Sequence, residues 1–278
     1  IHTFIAKHRP GKDTSTHKKR CSELQQIDWE QLEYDDVIID EGQDFLNDEI
    51  IYFKDYMELK EGHFWVFYDK NQMLTTSKIP EWISNSECRL LLSKNCRNTY
   101  QIALTSYNVI DIKLDEKIMM INGEPTSISF VNAEPITRLA RLLKKFVDPE
   151  TGYDYSDIVI LSLKTEKDSI LANTNKIAGI PITHEKSNSS VLFTTASKFK
   201  GLESRVVIIV DIDDSCFQNE SKKRLFYVAC SRATQRLALF INGDDSVIQK
   251  MADTINSKSR FASKGRIAMK TKANLLKL

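Results

Sequence analysis

The chain has 278 residues, of which 41% are hydrophobic and 28% charged, so it has enough apolar material for the cores of about two domains. Its 39 lysines and arginines nearly balance its 38 acids, so no global charge favours a polyanionic partner and any nucleic-acid surface must be local. No apolar run approaches the roughly 20 residues that cross a bilayer, and the first residues lack the organisation of a signal peptide, so we expect no membrane partner.

Strand and helix signals alternate along the chain. Five strand-length runs of branched or aromatic residues look like buried parallel strands, at 37–39, 64–67, 158–161, 206–210 and 237–241. Between them, residues 136–146 and 222–231 place apolar side chains near helical spacing, as crossover helices do. We therefore predict an α/β fold of parallel sheets with helices on both faces.

The first predicted strand, 37–39, ends in Asp40 and Glu41. At the carboxyl edge of a parallel sheet, one such carboxylate can hold Mg²⁺ and another can polarise an attacking water. A strand that simply enters solvent has the same pattern, so both interpretations stay open. The phosphate loop that would complete an ATP site is not found, because residues 9–14 lack its first glycine and its final hydroxyl.

Two arginines and one polar segment also suit phosphate chemistry. Arg97 follows an apolar run, and Arg232 ends the second predicted helix. A planar guanidinium can stabilise the charge of a phosphoryl group in transfer, although a lone arginine is more often solvated or ion-paired. Residues 194–203 combine hydroxyls, lysines and a glycine, which suits either phosphate contacts or an ordinary loop.

Taken in chain order, these segments resemble the motifs of superfamily-one helicases of the UvrD/Rep-like group. The segments that resemble motifs II to VI are, in order, residues 40–44, 69–72, 95–99, 195–203 and 228–233. Five motifs in family order leave little room for chance. The resemblance covers about residues 34–241.

The resemblance implies a role for each motif residue in ATP hydrolysis. Asp40 would bind Mg²⁺ and the nucleotide, and Glu41 would act on the hydrolytic water. Gln72 would sense the γ-phosphate. Arg97 and Arg232 would be arginine fingers from a second RecA-like domain, which closes around ATP and reopens after hydrolysis.

Three more residues would contact the nucleotide: Lys200, Gly201 and Glu203, the last through the ribose. Cys96 stands where the family usually has a tyrosine that stacks on adenine.

Nucleic acid would be held through phosphate contacts and base stacking. Thr195 and Ser197 are the candidate contacts in motif V, where Ser197 replaces the usual histidine. Trp82 is a candidate for base stacking, with a role in the core as the alternative.

The implied domains are RecA-like, one partial and one complete. Residues 1–92 would be the carboxyl-terminal part of the first, 93–245 the second, and 246–278 a basic tail. Residues 254–278 contain seven basic residues and no acid, which fits a solvated terminus or a phosphate-contacting segment.

The leading hypothesis is the carboxyl-terminal part of an ATP-dependent helicase or translocase on single-stranded or partly duplex DNA, with RNA not excluded. Its cofactors would be ATP and Mg²⁺, and its partner a missing amino-terminal Walker A segment, without which the isolated chain should not hydrolyse ATP. The five cysteines form no C-x-x-C pair and the five histidines no cluster, which favours reduced thiols in a cytoplasmic protein over disulfides or zinc. The alternative hypothesis is a nucleic-acid-binding or regulatory module with a degenerate ATP site, which is motivated by Cys96, Ser197 and the basic tail.

Overall fold

The computed structural model describes residues 1–69, 80–86, 88–90, 96–110, 121–131 and 134–242. The chain divides into two compact units, unit 1 (Ile1–Leu91) and unit 2 (Leu92–Leu278). The predicted γ-phosphate sensor Gln72 and the predicted basic tail, 246–278, lie outside the described residues.

Unit 1 is built on a small parallel sheet, in which β1 (Asp36–Ile39) pairs with β2 (His63–Val66). Its helices within the described residues are α1 (His2–His8), α2 (His17–Gln25), α3 (Asn47–Lys60) and α4 (Glu81–Ser84). Apolar side chains of α1, α2 and α3 form a core against one face of the sheet, which includes Ile5, Leu24, Ile39, Ile50 and Phe53.

The expectation that β1 and β2 are buried strands is wrong for one face of this sheet. Ile38 is 66% exposed and Trp65, opposite it in the register, is 50% exposed. Side chains alternate between the two faces of a strand, and the core of unit 1 covers only the face of Val37 and Ile39. Unit 1 therefore has an exposed apolar face formed by Ile38, Trp65 and Phe67.

The described part of unit 2 contains a seven-stranded sheet of order β3-β9-β8-β4-β7-β6-β5. The strands are β3 (Ser127–Val131), β4 (Ile158–Ser162), β5 (Lys176–Ile177), β6 (Ile180–Thr183), β7 (Val191–Thr195), β8 (Ser204–Val210) and β9 (Ala233–Asn242). All pairings are parallel except that of β5 with β6. The helices are α5 (Tyr100–Val109), α6 (Pro135–Phe146), α7 (Ser215–Gln218) and α8 (Glu220–Ser231).

The burial of the central strands of unit 2 accounts for the continuous apolar runs in its sequence. Every residue of β4 is buried, as are residues 206–210 of β8. Helix α6 packs on one face through Leu139 and Leu143, while α5 and α8 contact β9. The predicted α/β fold class, parallel sheets with flanking helices, is confirmed. No helix in the described part of the chain is long and apolar enough to span a bilayer.

Candidate functional site

The two predicted catalytic carboxylates of unit 1 lie at a sharp turn after β1. Glu41 has left-handed backbone angles (φ 53°, ψ 42°), which are uncommon for a residue other than glycine. Asp40 is exposed, and its Oδ1 accepts a hydrogen bond from the backbone N–H of Glu41 at 2.9 Å. The turn therefore ends the strand and leaves both carboxylates at its carboxyl end.

Gln43 holds Glu41 in place. Its side chain is only 2% exposed, and its Nε2 donates a hydrogen bond to the Glu41 carboxylate. Its Oε1 accepts a hydrogen bond of 3.0 Å from the backbone N–H of Asp69, the first residue of the predicted motif III. Because both ends of this buried amide are engaged, Gln43 ties the end of β1 to the segment after β2. The sequence shows Gln43 beside Glu41 but gives no sign of the partner at Asp69.

Gly42 allows this turn to pack closely against β2. Its N–H donates to the Phe67 carbonyl at 2.8 Å. A Cβ at this position would overlap Cγ1 of Val66 and lie 3.1 Å from Cη2 of Trp82. Trp82 is partly buried against the core and makes an edge contact with Tyr68, with ring centroids 5.5 Å apart. Packing thus accounts for Trp82, and its role in base stacking stays a prediction.

In unit 2, Arg232 lies directly after α8 with its side chain 1% exposed. Its Nε donates to the Val228 carbonyl at 3.2 Å, and its Nη2 to the Ser231 hydroxyl at 3.2 Å. Its Nη1 lies 3.4 Å from the carbonyl oxygen of Leu202, which belongs to the predicted motif V. The backbone of two predicted motifs therefore fixes this guanidinium.

Asn98 joins the predicted motif IV to the same place. Its buried Nδ2 donates to the carbonyl of Ser231 at 3.0 Å and to that of Ala233 at 2.6 Å, on either side of Arg232. The neighbouring Arg97 pairs with Glu203 through Nε and Oε2 at 3.0 Å. Both of these side chains are about half exposed, so we expect the pair to contribute less than about 1 kcal/mol and to open easily.

The remaining predicted residues of motif V lie in the turn after β7. The Thr195 hydroxyl accepts a hydrogen bond from the Lys198 N–H at 3.3 Å, and Ser197 is exposed. Gly201 has a φ of 80°, in the left-handed region that favours glycine. Lys200 is half-buried in the same turn. The structure thus brings Arg97, Glu203 and Arg232 together with this turn in one region of unit 2.

A buried carboxylate accepts several hydrogen bonds at the carboxyl end of β8 in the unit 2 sheet. Asp211, just after β8, accepts hydrogen bonds of 2.6 Å from the hydroxyls of Ser162 and Ser169. Its other oxygen accepts from the Ile170 N–H at 3.0 Å. Three separate segments of the chain are joined in this way, and we assign Asp211 a structural role.

Nearby, Asp213 is ionised more readily than an ordinary aspartate. Burial opposes its ionisation, but the hydrogen bonds from Ser215 and the charges of Lys222 and Lys164 outweigh this and lower its pKa. Asp213 is not among the site residues predicted from the sequence. Its cationic neighbours, Lys164 and Lys222, lie far from each other along the chain, so the sequence does not show that they meet.

Comparisons with known proteins bear on unit 2. Residues 190–240 match the family of UvrD-like helicase C-terminal domains. Among solved structures, the C-terminal domain of a possible DNA helicase from Lactobacillus plantarum WCFS1 is similar at 20% identity, covering 53% of this chain and 88% of that chain, with a TM-score of 0.43. A likeness that distant carries no argument about function. No curated protein matches the chain. The family match spans Thr195, Glu203 and Arg232, and it confirms the predicted resemblance over this part of unit 2.

Proposed function

We propose that this chain, whose residues 190–240 match UvrD-like helicase C-terminal domains, belongs to an ATP-dependent motor that moves on single-stranded DNA and unwinds duplex DNA. The observation that carries the proposal is the set of contacts among three predicted motifs of unit 2. Asn98 binds the backbone around Arg232, and Arg97 pairs with Glu203. If the short motif segments matched only by chance, we would not expect these residues to be in contact in the folded chain.

Unit 1 would supply the carboxylates of the reaction. Asp40 and Glu41 fit Mg²⁺ by their chemistry, since both offer oxygen ligands and Asp40 is exposed at the end of β1. When bound with ATP, Mg²⁺ would neutralise charge on the phosphates. Glu41 would accept a proton from the attacking water, and Gln43 would keep its carboxylate oriented.

Unit 2 would supply the cations. In this proposal Arg97 and Arg232 stabilise negative charge on the transferred phosphoryl group. Arg97 would exchange its partner Glu203 for phosphate, which frees Glu203 for the ribose. Arg232 would first have to break its contact with the Leu202 carbonyl, because its guanidinium is buried in this structure. Binding of nucleotide is thus coupled to a movement of the motif V turn, where Lys200 and Gly201 would also contact ATP.

The proposal includes an amino-terminal segment with a Walker A loop as the partner of unit 1. The exposed apolar face of Ile38, Trp65 and Phe67 supports it, because large exposed apolar patches mark association surfaces. An open cavity of about 530 Å³ is lined by residues of α1 and β1, Ile38 among them, and reaches Asp40. We also propose a cytoplasmic location, where all five cysteines, which form no disulfide, would stay reduced.

The test is DNA-stimulated ATP hydrolysis by the protein from the complete reading frame. Arg232→Lys should lower turnover strongly, since lysine lacks the planar set of donors with which a guanidinium binds a phosphoryl group. The matched control is Arg236→Lys, since Arg236 contacts Tyr153 and Glu124 instead. Residues 1–278 alone should show no turnover, because they contain no phosphate loop.

Two outcomes would overturn the proposal. One is unchanged turnover in Arg232→Lys. The other is a complete protein that binds single-stranded DNA without hydrolysing ATP, which would favour a binding module with a degenerate ATP site.

A further inference from the structure

Three side chains of kinds that bind metals in other proteins lie together in unit 1, and none of them is a predicted ATP residue. His17 and Cys21 are one turn apart on α2, and Asp48 lies in the first turn of α3. One ligand atom from each lies within 4.8 Å of the other two, the one such group in the part of the chain that the structure describes. Residues four apart on a helix share a face, so α2 presents the imidazole and the thiol to α3 side by side.

The distances suit a tetrahedral zinc site. The Nε2 of His17 lies 3.7 Å from Oδ2 of Asp48 and 3.6 Å from Sγ of Cys21. Ligands about 2.0 to 2.3 Å from a tetrahedral Zn²⁺ are separated from each other by about 3.3 to 3.8 Å. These two separations fall in that range. Because Sγ of Cys21 is also 3.6 Å from Nδ1, the thiol would have to turn toward Nε2 when a metal binds.

Glu49 orients the imidazole for this purpose. Its carboxylate lies 3.3 Å from Nδ1 of His17 and is itself held by Arg20 at 2.5 Å and by the Leu46 N–H at 3.0 Å. A metal-binding histidine almost always donates its other ring N–H to a carboxylate or carbonyl. The Sγ of Cys21 is equally close to both ring nitrogens, so the Glu49 contact decides which one stays free. It assigns the proton to Nδ1 and leaves Nε2 for the metal.

The charges around the cluster also favour a cation. Asp48 and Glu49 bring two carboxylates, and Arg20 pairs with only one of them. Hydrogen bonds alone would also connect these groups, so metal titration has to distinguish the two cases.

We propose that His17, Cys21 and Asp48 bind Zn²⁺ through Nε2, Sγ and Oδ2, with water in the fourth position. Binding releases the thiol proton of Cys21 to solvent, because the thiolate is the ligand. The ion would join α2 to α3 and stabilise unit 1. This inference is independent of the proposed motor function.

The first test uses the 278-residue chain after removal of metal with a chelator. Titration with Co²⁺ should give a thiolate-to-cobalt charge-transfer band that saturates at one ion per chain and disappears when Zn²⁺ is added. Cys21→Ser should remove the band. Cys88→Ser is the matched control, since Cys88 is an exposed cysteine of the same unit, and it should leave the band unchanged.

The second test separates a metal site from mere packing. Glu49→Gln should weaken Zn²⁺ binding by about 10- to 100-fold while the cobalt band remains, because His17 loses the carboxylate that orients it and the metal ligands are kept. In the wild-type chain, Zn²⁺ should protect Cys21 from alkylation and leave Cys88 reactive, and this readout needs no variant. Absence of the band in the wild type, or a band that persists in Cys21→Ser, would overturn the proposal.

Discussion

Asn98 fixes the main chain on both sides of Arg232. Its two amide hydrogens are divided between the carbonyls of Ser231 and Ala233, at 3.0 and 2.6 Å. The position of the arginine therefore depends on a buried side chain from a distant segment. Arg232 is anchored through its own guanidinium and, through Asn98, at its backbone.

Asn98→Asp should destabilise unit 2 and impair catalysis. A carboxylate has no hydrogen to donate, so two buried carbonyls lose their partner, and we expect the free energy of unfolding to fall by about 1 to 3 kcal/mol. Chemical denaturation measures this loss. In the complete protein, ATP turnover should fall as well, at a temperature where the variant is folded.

The control for this prediction is Asn219→Ala. Asn219 caps α8 by accepting a hydrogen bond from Lys222, so its loss should cost about 1 kcal/mol without touching the Asn98 contacts. Equal turnover in the two folded variants would mean that Asn98 does not position Arg232.

The sequence predicts the strands of the sheet better than it predicts the contacts that hold the candidate site residues in place. Strands β4 and β8 are buried on both faces, so their apolar runs signal a central strand directly. The run at Ile38 gives the same signal, yet one face of β1 is exposed, because a pattern in one strand does not report what covers it. Long-range hydrogen bonds, such as those of Gln43 and Asn98, leave no periodic trace. The one-turn spacing of His17 and Cys21 is visible in the sequence, but its partner on α3 is not.

Glu41→Gln in the complete protein should bind ATP but turn over slowly. Glutamine keeps the size of the side chain and can still accept from Gln43, while it cannot take a proton from water. Loss of a general base typically lowers the rate by about 10²- to 10⁴-fold. The control is Glu61→Gln, because Glu61 is also left-handed (φ 54°) and lies at the end of α3. Wild-type turnover in Glu41→Gln would remove Glu41 from the mechanism.

Gly42→Ala should destabilise unit 1, since the new methyl group would overlap Val66. Overpacking of this kind costs about 1 to 3 kcal/mol. Val66→Ala removes the overlapping atom, so the double variant should be more stable than the sum of the two single losses predicts. Thermal unfolding of the four proteins measures this coupling. Additive losses would show that another contact, such as that with Trp82, sets the requirement for glycine.

The cysteines should differ in their reaction with iodoacetamide. Cys88 and Cys96 are exposed and should be modified first. Burial raises the pKa of Cys216 to about 11 and raises that of Cys230 well above its usual value, so neither is a thiolate near neutral pH. Peptide mapping after a short pulse should find these two modified only in denaturant. Their modification in the folded chain would contradict the packing of α7 and α8.

The contribution of Asp213 to stability should depend on pH. Its folded pKa lies below the ordinary value of 3.8, so ionised Asp213 stabilises the fold above the pKa of the unfolded chain, and this is lost as pH falls through the folded pKa. Asp213→Asn should therefore be less stable than wild type at about pH 7, and the difference should shrink below about pH 4. Urea denaturation across this pH range measures the difference in stability.

Asp168→Asn is the control, since Asp168 is exposed and its carboxylate accepts a hydrogen bond from the Thr165 hydroxyl. A stability difference that stays constant with pH would show that Asp213 acts through shape and hydrogen bonding alone, with no net gain from its charge facing Lys222 and Lys164.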